Sequence, residues 1–481
     1  MSSKRIINVH DLIKKYSLPI SRKNQSVKDC LGKYLKGFYL DLKEIVANDY
    51  PDDFPSEFYN DLLSKNIPII SKECAMILDI MKLDSQDNQA AKLDKFDTLM
   101  SFLVDQDDLD QGIFRVDTFY EGSLLARIRP EIDSYGRKNM FHIPFTLREC
   151  ASDGRFSIPG NPCLYLSVYQ GLKPHDYEMV KAAWIECGMP GKFTYCIYEL
   201  QKEMNVLHFG KNGSYYLSRY DNAKNTDEKK DRLKAVTQYL LSFPLRAACH
   251  ISVEDKSTEK EVICQEEYLF PQLLMQWLQK NSIFDGVSYQ GASSNPAQRD
   301  LYIFNIALPA RNISSENEYD PYLKECFKLS DPKEKDLTKD FNSDEIVQKI
   351  EALENYSKKL KQILSTQNAP SNHPYTAISS YCSRLCQICS QMAIGDICAF
   401  YEEFVSIYGI VQAIDDNIKN CKTAEEWLNQ HDGGKLLTEA DFENILISFQ
   451  NTVIPVCREI NRIFYLQDCG SFLKKMNFQY I

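Results

Sequence analysis

Short apolar runs fill the middle of the chain, between residues 114 and 310, and long helical patterns lie on both sides of them. Each run has the length of a β-strand and is bounded by turn or charged residues. The runs are SLLARIR (123–129), CLYLSV (163–168), FTYCIYEL (193–200), AACHISV (247–253) and LYIFNIAL (301–308). The flanking stretches, such as CLGKYLKGFYLDLKEIV, instead repeat apolar residues with the period of an α-helix. The pattern predicts an α+β fold with a central mixed sheet domain between helical N-terminal and C-terminal domains.

The length of the chain supports more than one domain, because 481 residues exceed what a single hydrophobic core usually stabilises. We predict a helical domain over 1–112, a mixed sheet domain over 113–311 and a second helical domain over 342–481. Residues 312–341 are polar, charged and interrupted by proline, which is typical of a linker.

Composition excludes some classes of function. The formal net charge of −11 makes nucleic acid an improbable main partner, because phosphate neutralisation needs a basic surface. The sequence contains no run of about 18 apolar residues that could cross a membrane. The basic N-terminus has no apolar core of a secretion signal, so we expect a cytoplasmic protein. In that reducing compartment most of the 16 cysteines should be buried thiols.

The segment RFSIPGNPCLYLSV (155–168) combines an arginine, a turn and a strand. Gly160 lies between two prolines and predicts a sharp turn, which would hold Arg155 near the start of the strand. Strand alternation places Cys163, Tyr165 and Ser167 on one face. One face of this strand can pack into the core while the other meets a ligand.

Three further segments carry candidate site residues. Arg127 and Arg129 fall on the same side of a predicted strand, where a pair of guanidinium groups can capture an anion. The stretch PHDYEMVKAAWIECG predicts a helix that ends at Gly188 and places Glu186 on a largely apolar face. A carboxylate there is either part of a structural ion pair or functional. Finally, FDGVSYQG predicts a turn and a short strand ending in Tyr289.

In this order the four segments resemble the RES family, named for an arginine, a glutamate and a serine. The corresponding text is LLARIR, RFSIPGNPCLYLS, AWIEC and FDGVSYQGASS, and the resemblance covers roughly residues 114–310. It implies a fold related to that of ADP-ribosyltransferase toxins. It also implies NAD as the substrate, with no separate cofactor.

The resemblance assigns roles to individual residues. Arg127 and Glu186 correspond to the family's first arginine and its glutamate, and are the predicted catalytic residues. Arg155 corresponds to a second nucleotide-binding arginine. The family's serine position is occupied by Gly291, so Ser293, two residues later, is the hydroxyl that would replace it.

The chemistry of NAD is compatible with these residues. Its nicotinamide is already a cationic leaving group, so the transition state resembles an oxocarbenium ion that a carboxylate such as Glu186 can stabilise. Tyr165 and Tyr289 offer rings that stack on a ligand, and Arg129 is a further candidate ligand for the pyrophosphate.

The leading prediction is therefore an enzyme that degrades NAD at the nicotinamide–ribose bond by hydrolysis or phosphorolysis, acting as a regulated toxin or defence effector. Unrestrained NAD loss would harm the host, so we expect restraint by an antitoxin or another regulatory protein, by the flanking helices of the chain itself, or by assembly into a homo-oligomer. One alternative is transfer of ADP-ribose to a protein or small acceptor. Another is an inactive RES-like module that binds a nucleotide or a partner, which Gly291 at the serine position favours.

Cys382, Cys386 and Cys389 have a spacing that also occurs in iron–sulfur sites. On a helix they form one apolar stripe, which is typical of core packing. We therefore predict no metal site.

Overall fold

The structure, a computed structural model, describes most of the chain. The described residues are 8–47, 54–61, 65–83, 89–104, 113–131, 136–151, 154–169, 178–252, 266–290, 303–314, 316–366, 374–394, 397–420, 444–445, 447–464, 466 and 479–480.

Helices dominate both ends of the chain. The α-helices are α1 (Val9–Lys15), α2 (Val27–Ala47), α3 (Ser56–Asp61), α4 (Ile67–Met81), α5 (Gln89–Leu103), α6 (Glu178–Glu186), α7 (Gly213–Asp221), α8 (Thr226–Leu241), α9 (Phe243–Cys249), α10 (Leu269–Lys280), α11 (Pro321–Cys326), α12 (Leu337–Phe341), α13 (Asp344–Thr366), α14 (Pro374–Ile394), α15 (Ile397–Asn420) and α16 (Ile454–Phe464). Short 3-10 helices span Arg137–Met140, Phe145–Cys150 and Glu266–Tyr268, and a π-helical turn spans Phe449–Val453.

The described strands lie in the central part of the chain. They are β1 (Val116–Phe119), β2 (Leu124–Pro130), β3 (Cys163–Tyr169), β4 (Lys192–Leu200), β5 (Met204–Phe209), β6 (Gly286–Tyr289), β7 (Ile303–Pro309), β8 (Phe327–Leu329) and β9 (Lys333–Asp336). They form one nine-stranded sheet in the order β1-β5-β6-β7-β3-β2-β4-β8, with β9 also pairing with β4. The β5–β6 pair is parallel and the other pairs are antiparallel. The chain thus has the predicted α+β fold with a mixed sheet.

The two faces of the sheet pack against different layers. On one face, which we call the helical face, α6 and the C-terminal helices cover β2 and β4, and the N-terminal helices with α10 cover β5 and β6. On the other face, which we call the loop face, the segment 137–150 and α11 cover the apolar side chains of β3 and β7. The two groups of helices cover different strands of the helical face, and the candidate site lies at the boundary between the two hydrophobic clusters.

The predicted domain boundaries stay predictions, but the packing around them is informative. A single hydrophobic cluster extends from Val9 in α1 to Ala307 in β7, so the N-terminal helices share their core with the sheet.

The segment 312–341 differs from the predicted linker. Residues 321–341 form α11, β8, β9 and α12, and two of these elements extend the sheet along β4. Apolar side chains explain the difference, because Phe327 and Leu329 are fully buried within an otherwise polar stretch. The many charged residues and prolines around them made the segment resemble a linker in the sequence.

Four of the five apolar runs form the predicted strands β2, β3, β4 and β7. In the run AACHISV the described residues, 247–252, form no strand: the first three belong to α9, and Ile251 makes an isolated bridge to Ile20. A proline in the first turn and helix-forming Leu, Arg and Ala residues favour the helix there.

In the part of the chain that the structure describes, no helix is long and apolar enough to span a bilayer. Cys382, Cys386 and Cys389 are buried in the core of the C-terminal helices, which confirms that they pack as an apolar stripe.

Candidate active site

Glu186 is the last residue of α6, and the end of that helix fixes its position. Gly188 has a positive φ of 79°, and the N–H groups of Gly188 and Met189 donate to the carbonyls of Ile185 and Trp184. These two hydrogen bonds form a Schellman motif, and the helix ends before Gly188 as the sequence predicts. The Trp184 indole is buried among the C-terminal helices and donates to the Pro190 carbonyl at 2.9 Å. Trp184 therefore anchors α6 to the C-terminal helices, and Glu186 lies at the C-terminal end of α6.

The Glu186 side chain is accessible to solvent, but the surrounding protein partly desolvates its carboxylate. The residue is exposed to solvent, whereas its helix is buried from Glu178 to Ile185. Surrounding protein nevertheless raises the pKa of the carboxyl to about 7, and the Arg155 charge, the Tyr289 hydroxyl and the Asn305 amide partly oppose that rise. An accessible carboxylate that ionises near neutral pH is typical of catalytic acids and bases that line a cleft.

Two tyrosines from neighbouring strands lie beside this carboxylate. The Tyr289 hydroxyl on β6 donates to Glu186 Oε1 at 3.4 Å. The ring of Tyr165 on β3 meets that of Tyr289 edge to face, with ring centres 6.4 Å apart, and the Phe156 ring packs on Tyr289 with ring centres 4.7 Å apart. Burial raises the pKa of both tyrosines well above the ordinary value, so both keep their protons. Tyr289 is buried, whereas Tyr165 is partly accessible, so Tyr165 is the better candidate for contact with a ligand ring.

Arg155 reaches the site from the segment before β3. Its Nη1 donates to the Cys249 carbonyl at 3.0 Å and its Nη2 to the Ile251 carbonyl at 2.8 Å, while its guanidinium lies 5.5 Å from the centre of the Tyr268 ring. These carbonyls belong to the end of α9 and the residues after it, where the unpaired carbonyls of a helix attract a cation. The anchored guanidinium acts electrostatically on Glu186 and lowers its pKa.

The predicted turn before β3 is present. The Asn161 N–H donates to the Ile158 carbonyl at 2.9 Å, and Gly160 has a φ of 79°. A glycine is required there because other residues rarely adopt that backbone conformation. The turn brings Arg155 back beside the strand that carries Tyr165.

Sequence reasoning did not identify Ser167 as a site residue and missed Asn305 entirely. Ser167 on β3 and Asn305 on β7 are paired across the sheet, and Asn305 is also paired with Tyr289 on β6. The Ser167 hydroxyl donates to Asn305 Oδ1 at 2.5 Å. The signal for Asn305 was its position as the sole strongly polar residue of the apolar run LYIFNIAL.

The predicted convergence of Arg127 with Glu186 is wrong. In β2, Ala126 and Ile128 face α6 and the C-terminal helices, so Arg127 points to the loop face of the sheet. There its Nη1 donates to the Phe141 carbonyl at 2.8 Å. Arg129 lies on the same face, near Tyr319. Burial raises the pKa of the Tyr319 hydroxyl, and the positive charge of Arg129 partly opposes that rise. The sheet separates both arginines from Glu186.

The structure thus brings together Glu186, Arg155, Tyr165 and Tyr289, and it adds Asn305. Ser293 and Gly291 lie outside the described residues.

Comparison with known proteins finds a relative in Bacillus subtilis (strain 168) that bears the name "Putative toxin YopC". The two sequences are 27% identical over 249 residues, which make up 50% of this chain and 52% of the relative. The chain therefore spans about half the length of the relative. No family model and no solved structure matches the sequence. The sequence is therefore similar to that of a protein named as a putative toxin, and membership of the RES family stays a prediction.

Proposed function

We propose that the chain cleaves the bond between nicotinamide and ribose in NAD, with Glu186 as the catalytic carboxylate. The observation that carries the proposal is the state of Glu186, an exposed carboxylate whose pKa is raised to about 7 beside Arg155 and Tyr289. The name of the Bacillus relative supports a toxin role for such an activity.

The reaction requires a carboxylate in its ionised form. As the C–N bond breaks, nicotinamide leaves as a neutral molecule with the bonding electrons, and positive charge builds on the ribose. The Glu186 carboxylate stabilises that charge and accepts the proton that the attacking water loses, which leaves ADP-ribose. A carboxyl that titrates near 7 is suited to proton transfer because it exchanges its proton readily at cellular pH.

The neighbouring residues then have distinct tasks. The Tyr289 hydroxyl holds one carboxylate oxygen, and Tyr165 offers a partly accessible ring for stacking on a base or on nicotinamide. Arg155 supplies a fixed positive charge near Glu186, which suits the anionic pyrophosphate. Arg127 and Arg129 have no part in this mechanism and instead stabilise the loop face.

A role in binding alone is the second candidate. The location of Arg127 on the opposite face favours it, because the site lacks the catalytic arginine that the RES resemblance implies. A protein that bound NAD without cleaving it would then act through a partner.

The test is NAD consumption by the purified full chain, with and without phosphate, followed by release of nicotinamide. We expect release by the wild-type chain and a fall of about 10²- to 10³-fold in Glu186→Gln, which keeps an acceptor for Tyr289 but cannot ionise. Glu351→Gln, at an exposed position of α13, is the matched control and should keep wild-type activity.

Other results would change the assignment. Adenylate-labelled NAD that leaves label on a macromolecule would indicate ADP-ribose transfer. Calorimetric binding of NAD without nicotinamide release would indicate a binding module. Neither binding nor release by the full chain, alone or with a copurifying partner, would refute the proposal.

A further inference from the structure

A row of paired residues crosses the helical face of the sheet directly below Glu186. The row runs through Ala126, Ser167, Asn305, Tyr289 and Phe209, each of which is the cross-strand partner of the next. Its ends are apolar and its three central members are polar. Polar side chains in the middle of a buried sheet face are costly unless each has a partner.

We propose that Asn305 is a positioning residue that orients the Glu186 carboxylate, and that Ser167 holds the Asn305 amide in the orientation this requires. The inference deepens the proposed function of Glu186 and rests on it. Asn305 reaches no reacting atom and acts through the glutamate.

The hydrogen bonds define which way the amide points. The Ser167 hydroxyl has a single proton, and it donates that proton to Asn305 Oδ1 at 2.5 Å. With its oxygen engaged by Ser167, the amide presents its Nδ2 donors to Glu186 and lowers the pKa of that carboxyl. Ser167 and Asn305 are 3% and 4% exposed, so water does not compete for these groups.

A reversed amide would be unfavourable at this position. It would place Oδ1 against the Glu186 carboxylate and leave the Ser167 proton without its acceptor. Two acceptors facing each other repel each other, and the buried Asn305 amide has no water to relieve that repulsion. Ser167 therefore selects the one orientation in which Asn305 supports an ionised Glu186.

Other groups that face Glu186 contribute to its ionisation. Arg155 approaches from the segment before β3, Tyr165 from β3 and Tyr289 from β6, and Cys187 follows Glu186 on its own chain segment. Arg155 is cationic, and the tyrosines and the thiol remain neutral because burial raises their pKa values. Removal of the Asn305 amide leaves these groups in place, so its effect on Glu186 can be measured separately.

The experiment is a pH titration of the Glu186 carboxyl in the full chain labelled with ¹³C-glutamate, with the resonance assigned by its loss in Glu186→Gln. We expect Asn305→Ala to raise the midpoint by about one pH unit. Ser167→Ala should raise it less, because the amide remains but can rotate. Nicotinamide release from NAD should show the same upward displacement of its acid limb.

A matched pair elsewhere in the sheet provides the control. Thr118 on β1 donates to Asn205 Oδ1 on β5 at 2.7 Å, which repeats the hydroxyl–amide pair away from Glu186. Asn205→Ala should leave the Glu186 titration unchanged. If Asn305→Ala does not fold, Ser167→Ala, which removes a single hydroxyl, decides the question alone.

The outcomes separate this inference from the proposed function. A Glu186 midpoint that is the same in Ser167→Ala, Asn305→Ala and the wild type would overturn the positioning role. A shifted midpoint in a chain whose wild type cleaves no NAD would support the positioning role and refute the proposed reaction.

Discussion

Replacement of Glu186 by glutamine is expected to stabilise the folded chain at alkaline pH and to change little in acid. The pKa of Glu186 is raised from 4.5 to about 7, so folding favours the protonated form. The stabilisation from that proton is fully present below pH 4.5 and is lost as the pH rises through 7. Glutamine does not titrate, so the variant avoids the loss.

The size of the effect follows from the same pKa values. One pH unit corresponds to about 1.4 kcal/mol, so a rise from 4.5 to about 7 would be worth roughly 3 kcal/mol for a carboxyl fully shielded from water. Glu186 is exposed, and solvent screening reduces the expected difference to about 1 kcal/mol. In a chain of 481 residues this corresponds to about 1–2 °C in Tm.

The assay compares thermal unfolding of Glu186→Gln and wild type at pH 5 and pH 8.5. The difference in Tm should be near zero at the lower pH and positive at the higher one. Glu351→Gln, on the exposed surface of α13, removes the same charge away from the site and is the matched control. A Glu186→Gln difference that is the same at both pH values would refute the raised pKa.

Three further substitutions test the packing around the site. Arg127→Met should lower the free energy of unfolding, measured with urea, by about 1–3 kcal/mol, because the Phe141 carbonyl loses its donor. The folded variant should still cleave NAD. A stable but inactive variant would contradict the assignment of Arg127 to the loop face. Trp184→Ala, at a fully buried position, should cost about 3–5 kcal/mol in the same assay, and a cost below 1 kcal/mol would show that α6 is not anchored there. Arg22→Met removes the 3.0 Å ion pair with buried Glu267 and should cost about 3–5 kcal/mol; thermal unfolding at the wild-type Tm would contradict this.

Local sequence signals predicted much of the site. The proline–glycine turn, the alternation in CLYLSV and the glycine after α6 each depend on a few neighbouring residues, and the structure has all three. The end of α6 fixes the position of Glu186 in the fold, and the turn before β3 fixes the position of Arg155. These features were predictable because backbone sterics decide them locally.

The face of β2 that lies towards α6 and Glu186 could not be predicted in the same way. Alternation shows that Arg127 and Arg129 share a face, but not which layer covers that face. The answer depends on α6, whose apolar residues pack on Ala126 and Ile128. The partnership of Ser167 with Asn305 is likewise non-local, because it depends on the pairing of strands 138 positions apart.

The most direct test of the central claim is the pH dependence of kcat/KM for nicotinamide release from NAD between pH 5 and 9. The wild-type value should rise with a midpoint near 7, where the Glu186 carboxyl ionises, and then level off. In Glu186→Gln the profile should be flat and about 10²- to 10³-fold lower at pH 8. Equal rates for the two proteins at pH 8, or a wild-type midpoint below 5, would contradict the assignment of Glu186 as the catalytic carboxylate.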